Sequence, residues 1–358
     1  MISSLQALRF IFAVFIFAQH FPIRDGEAQP LLDGAGPMGV AFFLILSGFG
    51  LSIGYSRKVK SEDFNWWNFM KKRLIRVWPL HILCLLVWIA AAGTNSTFAI
   101  KPLPLVGNLF MLQGWIPMIE AKGNDVSWCL SVLVLFYALF PWLSRQTTRH
   151  LALGLVIYGI VVAIIGSQLP IVDDREFLLR DWFFYFSAPV RLIDCVIGIL
   201  AYRLFSKVYQ LNISSWWQKL PLAQHILLEL LPIGLFWGAF VFVASHSAPG
   251  NHAYPYFIPS VVLICLFTLT QKSGEQRGIL ELITRPLLIY LGDMSFSFYM
   301  IHHLVILIIN RVFSWVYPGH HWVRRLAITP AASIIGSIVV NKYFEQPITR
   351  LLSRSSSR

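Results

Sequence analysis

Charged side chains are scarce in this chain, and acidic ones are scarcer than basic ones. Charged residues make up 13% of its 358 positions, with 17 Asp and Glu against 29 Lys and Arg, whereas 56% are hydrophobic. This composition excludes an ordinary soluble domain and is typical of a helical protein that crosses the membrane many times. Because such proteins retain Lys and Arg on cytoplasmic loops, the net charge of +12 requires no nucleic-acid partner.

Cysteine is also rare, and its positions argue against cross-links. The four cysteines, at 84, 129, 195 and 265, all lie inside apolar runs. They have neither metal-ligand spacing nor the pattern of a disulfide framework, and the histidines show no metal-like spacing, so we expect no metal. Repeats, linkers and an appended soluble domain are absent as well. The sequence therefore predicts a single transmembrane domain at residues 1–352 and a short basic cytoplasmic tail at 353–358.

Apolar runs dominate what remains. Runs of about 18 to 23 residues, long enough to cross a bilayer as helices, recur ten times. They predict an all-α fold, a polytopic transmembrane bundle of about ten spans. The segment 103–118 is apolar too, but it is short and interrupted by proline and glycine, which predicts a re-entrant or interfacial piece. The ten predicted spans are 5–22, 37–55, 74–93, 126–143, 151–169, 183–205, 224–245, 255–271, 287–309 and 326–344.

The basic residues divide unevenly between the two sides that ten crossings would create. One side holds 20 of the 29 Lys and Arg and the other holds 8, while Arg191 falls within a span. Counting 103–118 as a further crossing would remove this bias. The positive-inside rule therefore predicts both termini in the cytoplasm, in a multi-pass protein of the inner (cytoplasmic) membrane.

Two arginines three residues apart stand at the start of the third predicted span. Arg73 and Arg76 share one helical face, and an arginine within a span is costly unless it meets an anionic partner. Their forked donors suit phosphate or carboxylate, and the adjacent Lys71 and Lys72 would add long-range attraction. The pattern predicts an anion-binding site. The alternative is a belt of basic side chains that snorkel to the membrane surface.

Seven sequence blocks follow one another along nearly the whole chain. They are LQALR at 5–9 with QHF at 19–21, GVAFFLILSGF at 39–49, RLIR at 73–76, SWCLSV at 127–132, RLID at 191–194, LGDMSFSFY at 291–299 before His302, and YFEQP at 343–347. In this order they resemble the acyltransferase-3 family of integral membrane acyltransferases. Two positions depart from the family: many members carry an acidic residue in place of Ala41 and a glutamate in place of Leu133. No role of that glutamate carries over to this chain.

The resemblance implies transfer of an acyl group, usually acetyl from acetyl-CoA, to a hydroxyl of a cell-surface polysaccharide or lipid-linked glycan. The expected partners are acyl-CoA, a carbohydrate or glycolipid acceptor and the lipid bilayer. Arg73, Arg76 and Lys72 would hold the phosphates of coenzyme A at the cytoplasmic end of the third helix. Two alternatives remain: a transporter or flippase of a polysaccharide or glycolipid, and a catalytically silent relative, suggested by Leu133.

Histidine is the residue expected to carry the proton. His20 falls on the histidine of the family's opening helix, and imidazole can take the proton of an attacking hydroxyl near neutral pH. At about 1.5 Å per residue it lies on the order of 20 Å from the cytoplasmic start of that helix. Asp194 and His302 are further catalytic candidates, whereas the adjacent His303 should point to a different side of the helix and need not face the site. Ser131, Trp128 and Arg191 are expected to contact substrate, although an ion pair between Arg191 and Asp194 would explain both without catalysis.

Overall fold

Helix is the regular structure throughout the part of the chain that the computed structural model describes, as the sequence predicts. The described residues are 2–21, 32, 34–92, 102–117, 123–169, 179–211, 213–246, 253–274, 277–316 and 322–355. Two π-helical turns, Trp182–Phe186 and Asn341–Glu345, precede α8 and α16. The α-helices are α1 (Ser3–His20), α2 (Ala35–Tyr55), α3 (Trp66–Ala92), α4 (Pro102–Leu109), α5 (Trp128–Arg145), α6 (Thr148–Gln168), α7 (Leu179–Asp181), α8 (Ala188–Gln210), α9 (Ile213–Lys219), α10 (Leu222–Ser245), α11 (Phe257–Lys272), α12 (Ile279–Ile283), α13 (Pro286–Asp293), α14 (Ser295–Val316), α15 (Trp322–Val340) and α16 (Gln346–Ser355).

Nine helical segments within the described ranges are long and apolar enough to cross a membrane. They correspond one for one to the second through tenth predicted spans. The first predicted span is also helical, as α1, but Gln6, Arg9, Gln19 and His20 make its eighteen residues less apolar than the others. The ninth span differs from its prediction, because the helix expected over 287–309 is broken at Met294 between α13 and α14.

The segment 102–117 is not among the nine spans. It forms the short helix α4 and a series of turns, and its polar side chains Asn108 and Gln113 are buried inside the protein. The Gln113 amide nitrogen donates to Asn108 Oδ1 at 2.9 Å and to Ser127 Oγ at 3.0 Å. Further along, Asn124 donates to the Met300 carbonyl of α14 at 2.7 Å. Irregular backbone is tolerated at membrane depth where protein groups satisfy it, as the His81 ring does for the Asn108 carbonyl and the Ala188 amide does for the Gly114 carbonyl, both at 2.7 Å.

Helices α2 and α8 approach each other closely, backbone against backbone. A Cβ added at Gly48 would stand 2.0 Å from the carbonyl oxygen of Cys195, and one added at Gly198 would stand 2.0 Å from that of Ile45. Small residues permit such backbone contact between membrane helices, where dispersion forces and not water exclusion hold the helices together. This contact fixes α2, and α2 in turn packs against α1.

Candidate active site

One face of α2 runs past two cavities in succession. Gly36 and Val40 line the first, while Phe43, Ser47 and Gly50 continue along the second. These positions are three or four residues apart, which is the spacing of one helical face. We call the two the histidine cavity, which contains His20, and the arginine cavity, which contains three arginines. Their volumes are about 420 and 670 Å³.

The arginine cavity gathers basic side chains from three helices. Arg9 of α1, Arg73 and Arg76 of α3 and Lys272 of α11 line it, and most of its remaining wall is apolar. The Arg73 guanidinium donates to the Tyr55 hydroxyl at 2.9 Å and lies 4.9 Å from the centre of that ring. The predicted pair of arginines therefore lines one cavity, with Arg73 partly buried and Arg76 exposed. Lys72 is exposed and does not line it.

Arg9 joins this group although the sequence analysis did not place it there. Among the described residues, no protein group forms a hydrogen bond or ion pair with Arg9 or Arg76. The charge of Arg76 opposes that of Arg9, while the carboxylates of Glu345 and Asp293 favour it. Arg9 and His20 are eleven residues apart, close to three full turns, so they share one face of α1 at a separation of about 16 Å. This eleven-residue spacing is the sequence signal that could have identified Arg9 as a site residue.

The histidine cavity lies at the other end of α1. Its polar lining includes Gln19, His20 and Asp125, and its aromatic lining includes Trp128. Val40 of α2 and Tyr299 of α14 line both cavities, so the two spaces meet at these side chains. The arginines and His20 thus lie in two adjoining cavities, with Arg9 and His20 toward opposite ends of α1.

The hydrogen bonds around His20 indicate which ring nitrogen is free. Its Nδ1 lies 2.9 Å from the Ile16 carbonyl oxygen and 3.2 Å from His302 Nε2, and His302 Nδ1 lies 2.7 Å from the Tyr299 carbonyl oxygen. Because a carbonyl oxygen can only accept, each Nδ1 carries the hydrogen. In neutral His20, Nε2 is then unprotonated and can take a proton within the cavity. His302 Nε2 accepts the hydrogen bond from His20 Nδ1 and thereby fixes the orientation of the His20 ring.

Two further residues complete this cluster and were not predicted. The ring centres of His302 and His303 both lie 5.2 Å from that of His20, so the expectation that the neighbouring histidine turns away from the site was wrong. His303 Nδ1 is in turn 3.5 Å from Asp125 Oδ1. Within the described residues, no set of three or more His, Cys, Asp or Glu has the arrangement of a metal site.

Asp194 and Arg191 lie elsewhere and pair with each other. Arg191 donates to the two Asp194 oxygens at 2.9 and 3.1 Å, and both side chains are buried. The intrahelical ion pair is therefore confirmed, and the carboxylate beside the histidines is that of Asp125. The Arg191 guanidinium lies 5.9 Å from the Trp128 ring centre and 5.4 Å from that of Tyr185. It is next to these two aromatic residues of the histidine cavity but lines neither cavity itself.

Of the other two predicted substrate contacts, Trp128 lines the histidine cavity and Ser131 does not. The Ser131 hydroxyl donates to the Met111 carbonyl at 2.6 Å and accepts from the Gly114 amide at 3.1 Å. It thereby anchors the irregular segment after α4, where Met111 has a positive φ of 55°. The structure gives Ser131 a bracing position, and its contact with substrate stays a prediction.

Comparison with known proteins identifies acyltransferases as relatives of this chain. The model of the acyltransferase domain family matches residues 2–341. The chain is 26% identical to the acyltransferase MdmB of Streptomyces mycarofaciens, over 99% of this chain and 93% of that protein. It is 24% identical to nodulation protein 10 of Rhizobium leguminosarum bv. viciae, over 87% of this chain and 82% of that protein. No solved structure matches.

Proposed function

Since the chain belongs to the acyltransferase-3 family and is a multi-pass membrane acyltransferase, we propose that it moves a short acyl group, such as acetyl, from acyl-CoA to a hydroxyl of a carbohydrate or glycolipid. The observation that carries the proposal is the meeting of the two cavities at Val40 and Tyr299. A cationic space and a space with a free imidazole then lie end to end. The membrane is proposed to be the cytoplasmic one, with both termini inside.

The phosphates of acyl-CoA are the proposed anionic partners of the arginine cavity. The phosphates of coenzyme A would lie against Arg73 and Arg76, with Arg9 deeper along the path. Arginine forks bind phosphate in two-point contacts, and a partly buried site strengthens each of them. The apolar walls suit the thin thioester arm. The exposed Lys72 adds long-range attraction to the same end.

The hydroxyl of the acceptor enters the histidine cavity and gives its proton to His20 Nε2 as its oxygen attacks the thioester carbonyl carbon. The carbon–sulfur bond breaks, and the departing thiolate takes the proton from the imidazolium, which leaves an ester and free coenzyme A. While His20 is charged, its Nδ1 hydrogen still faces the Ile16 carbonyl and His302 Nε2, both acceptors. His302 is thus a positioning residue in this proposal.

Replacing His20 tests the proposal. We expect His20→Ala to lower acyl transfer by about 10²-fold or more, since a general base contributes that much, and to leave acyl-CoA binding at the arginine cavity unchanged. Radiolabelled acetyl-CoA with reconstituted protein measures transfer, and calorimetry measures binding. The matched control is His150→Ala, an exposed histidine at the start of α6.

Near-normal transfer by His20→Ala would remove the base from this position. Absence of acyl-CoA hydrolysis and transfer in the unaltered protein would instead favour the transporter or the silent relative.

A further inference from the structure

The described residues that line the two cavities differ in the sign of their charge. Among the described residues that line them, the arginine cavity has four basic side chains and no carboxylate, while the histidine cavity has the carboxylate of Asp125 and neither Lys nor Arg. Arg191 is near the histidine cavity but is buried behind its wall and neutralised by Asp194. A ligand that is attracted into one cavity by its charge is therefore repelled from the other.

Asp125 is held in place by its neighbours while its own carboxylate remains accessible. It begins the 3-10 turn Asp125–Ser127, and the flanking residues Asn124 and Ser127 are buried and hydrogen-bonded. The Asp125 side chain is nevertheless 42% exposed, and this exposure is toward the cavity that it lines. Its close titratable neighbours in the described chain are His303, whose Nδ1 lies 3.5 Å from Asp125 Oδ1, and His20. A carboxylate in this position can accept hydrogen bonds from a ligand in the cavity.

An aromatic wall stands in the same cavity. The rings of Trp128, Tyr185 and Phe186 line it with mutual centre-to-centre distances of 4.8 to 5.1 Å. Tyr185 and Phe186 are partly exposed, and the π-helical turn Trp182–Phe186 presents them. Ring faces offer a flat apolar surface, and a few fixed polar groups beside such a surface set the orientation of a small ligand. A pyranose ring has the matching shape, with an apolar face and hydroxyl groups at its rim.

We infer that the histidine cavity selects acceptor sugars without an anionic group, and that Asp125 is the specificity-determining residue. A neutral or amino sugar would stack on the wall of Tyr185 and Phe186, and its hydroxyl or ammonium hydrogens would be accepted by Asp125. A uronate or sugar phosphate would bring a second negative charge beside that carboxylate. The inference rests on the proposed function, because it assigns the acceptor of the same reaction.

The test compares three acceptors that differ in one group. Reconstituted protein is given acetyl-CoA with methyl glucoside, methyl glucosaminide or methyl glucuronide, and kcat/KM is measured for each. We expect the glucuronide to be disfavoured by about tenfold or more, the effect of one like charge several ångströms away in a partly solvated site. Asp125→Asn should reduce that preference to about twofold or less. The matched control Asp63→Asn, on an exposed loop, should leave it unchanged.

The outcomes separate a failure of the inference about Asp125 from a failure of the proposed acyl transfer. A preference that is absent in the unaltered protein, or that persists in Asp125→Asn, overturns the inference alone. If Asp125→Asn fails to bind acetyl-CoA, which shows misfolding, Asp125→Ser and the preference of the unaltered protein provide the decision. His20-dependent hydrolysis of acetyl-CoA without transfer to any of the three sugars overturns the inference and leaves the proposed function standing. Absence of that hydrolysis as well overturns both.

Discussion

Gly48 and Gly50 stand two residues apart on α2, yet alanine should have opposite effects at the two positions. At Gly48 the new Cβ would lie 2.0 Å from the Cys195 carbonyl oxygen and 2.9 Å from its carbonyl carbon. Both are backbone atoms that no side-chain rotation can move, so α2 and α8 must separate. At Gly50 no atom lies within 4 Å of the added carbon, which points into the arginine cavity.

The magnitudes follow from these surroundings. Overpacking of a well-fitted interior costs about 1–3 kcal/mol, and a rigid backbone contact belongs at the upper end of that range. Gly50→Ala should leave stability unchanged or raise it by up to about 1 kcal/mol, since alanine favours helix over glycine. It should also weaken acyl-CoA binding modestly, because it narrows the cavity.

Thermal unfolding of the two purified variants in the same detergent is the assay, with acyl-CoA affinity measured by calorimetry. Gly48→Ala should unfold at a clearly lower temperature than the unaltered protein, and Gly50→Ala should not. Equal unfolding temperatures for all three proteins would refute the close contact between α2 and α8. Equal losses in both variants would refute the assignment of Gly50 to open space.

Two further predictions concern charge. Asp194→Ala should destabilise the fold by about 3–5 kcal/mol, because it leaves the buried Arg191 guanidinium unpaired. Replacing both residues by leucine should recover most of the loss in unfolding temperature. A double variant as unstable as Asp194→Ala would contradict the assignment of a buried ion pair. Arg76→Ala should weaken acyl-CoA binding about ten- to a hundredfold in calorimetry, the value of a charge-assisted hydrogen bond; an equal effect from the exposed Arg149→Ala would show that only long-range attraction is lost.

Hydrophobic run length predicted the helices well because a bilayer imposes a minimum length on each span. The break at Met294 escaped prediction, since α13 and α14 on either side of it are both apolar and no proline marks the interruption. The reason lies in packing: a Cβ at Gly292 would come within 2.1 Å of the Gln6 carbonyl, so this part of the chain follows the surface of α1. Such contacts depend on residues far away in the sequence.

The residues of the site divide in the same way, into those that local helical spacing predicts and those whose position depends on distant contacts. Arg73 and Arg76 could be recognised because helical spacing alone puts them on one face. Asp125 could not, since its place beside the histidines depends on Asn124, which donates to Met300, 176 residues further along the chain. His303 was set aside because adjacent helical residues point in different directions. A ring lying between two such directions, as His20 does, contacts both.

Tyr299 has a consequence for the electrical integrity of the membrane. If the donor enters from one side and the acceptor from the other, as proposed, an open passage between the cavities would be a pore through which protons and salt dissipate the cell's gradients. Tyr299 is buried where the two cavities meet, its hydroxyl donates to the Val126 carbonyl, and it lies 3.0 Å from Cys129 Sγ. A ring tethered in this way can act as a seal that the small acyl group passes while hydrated ions do not.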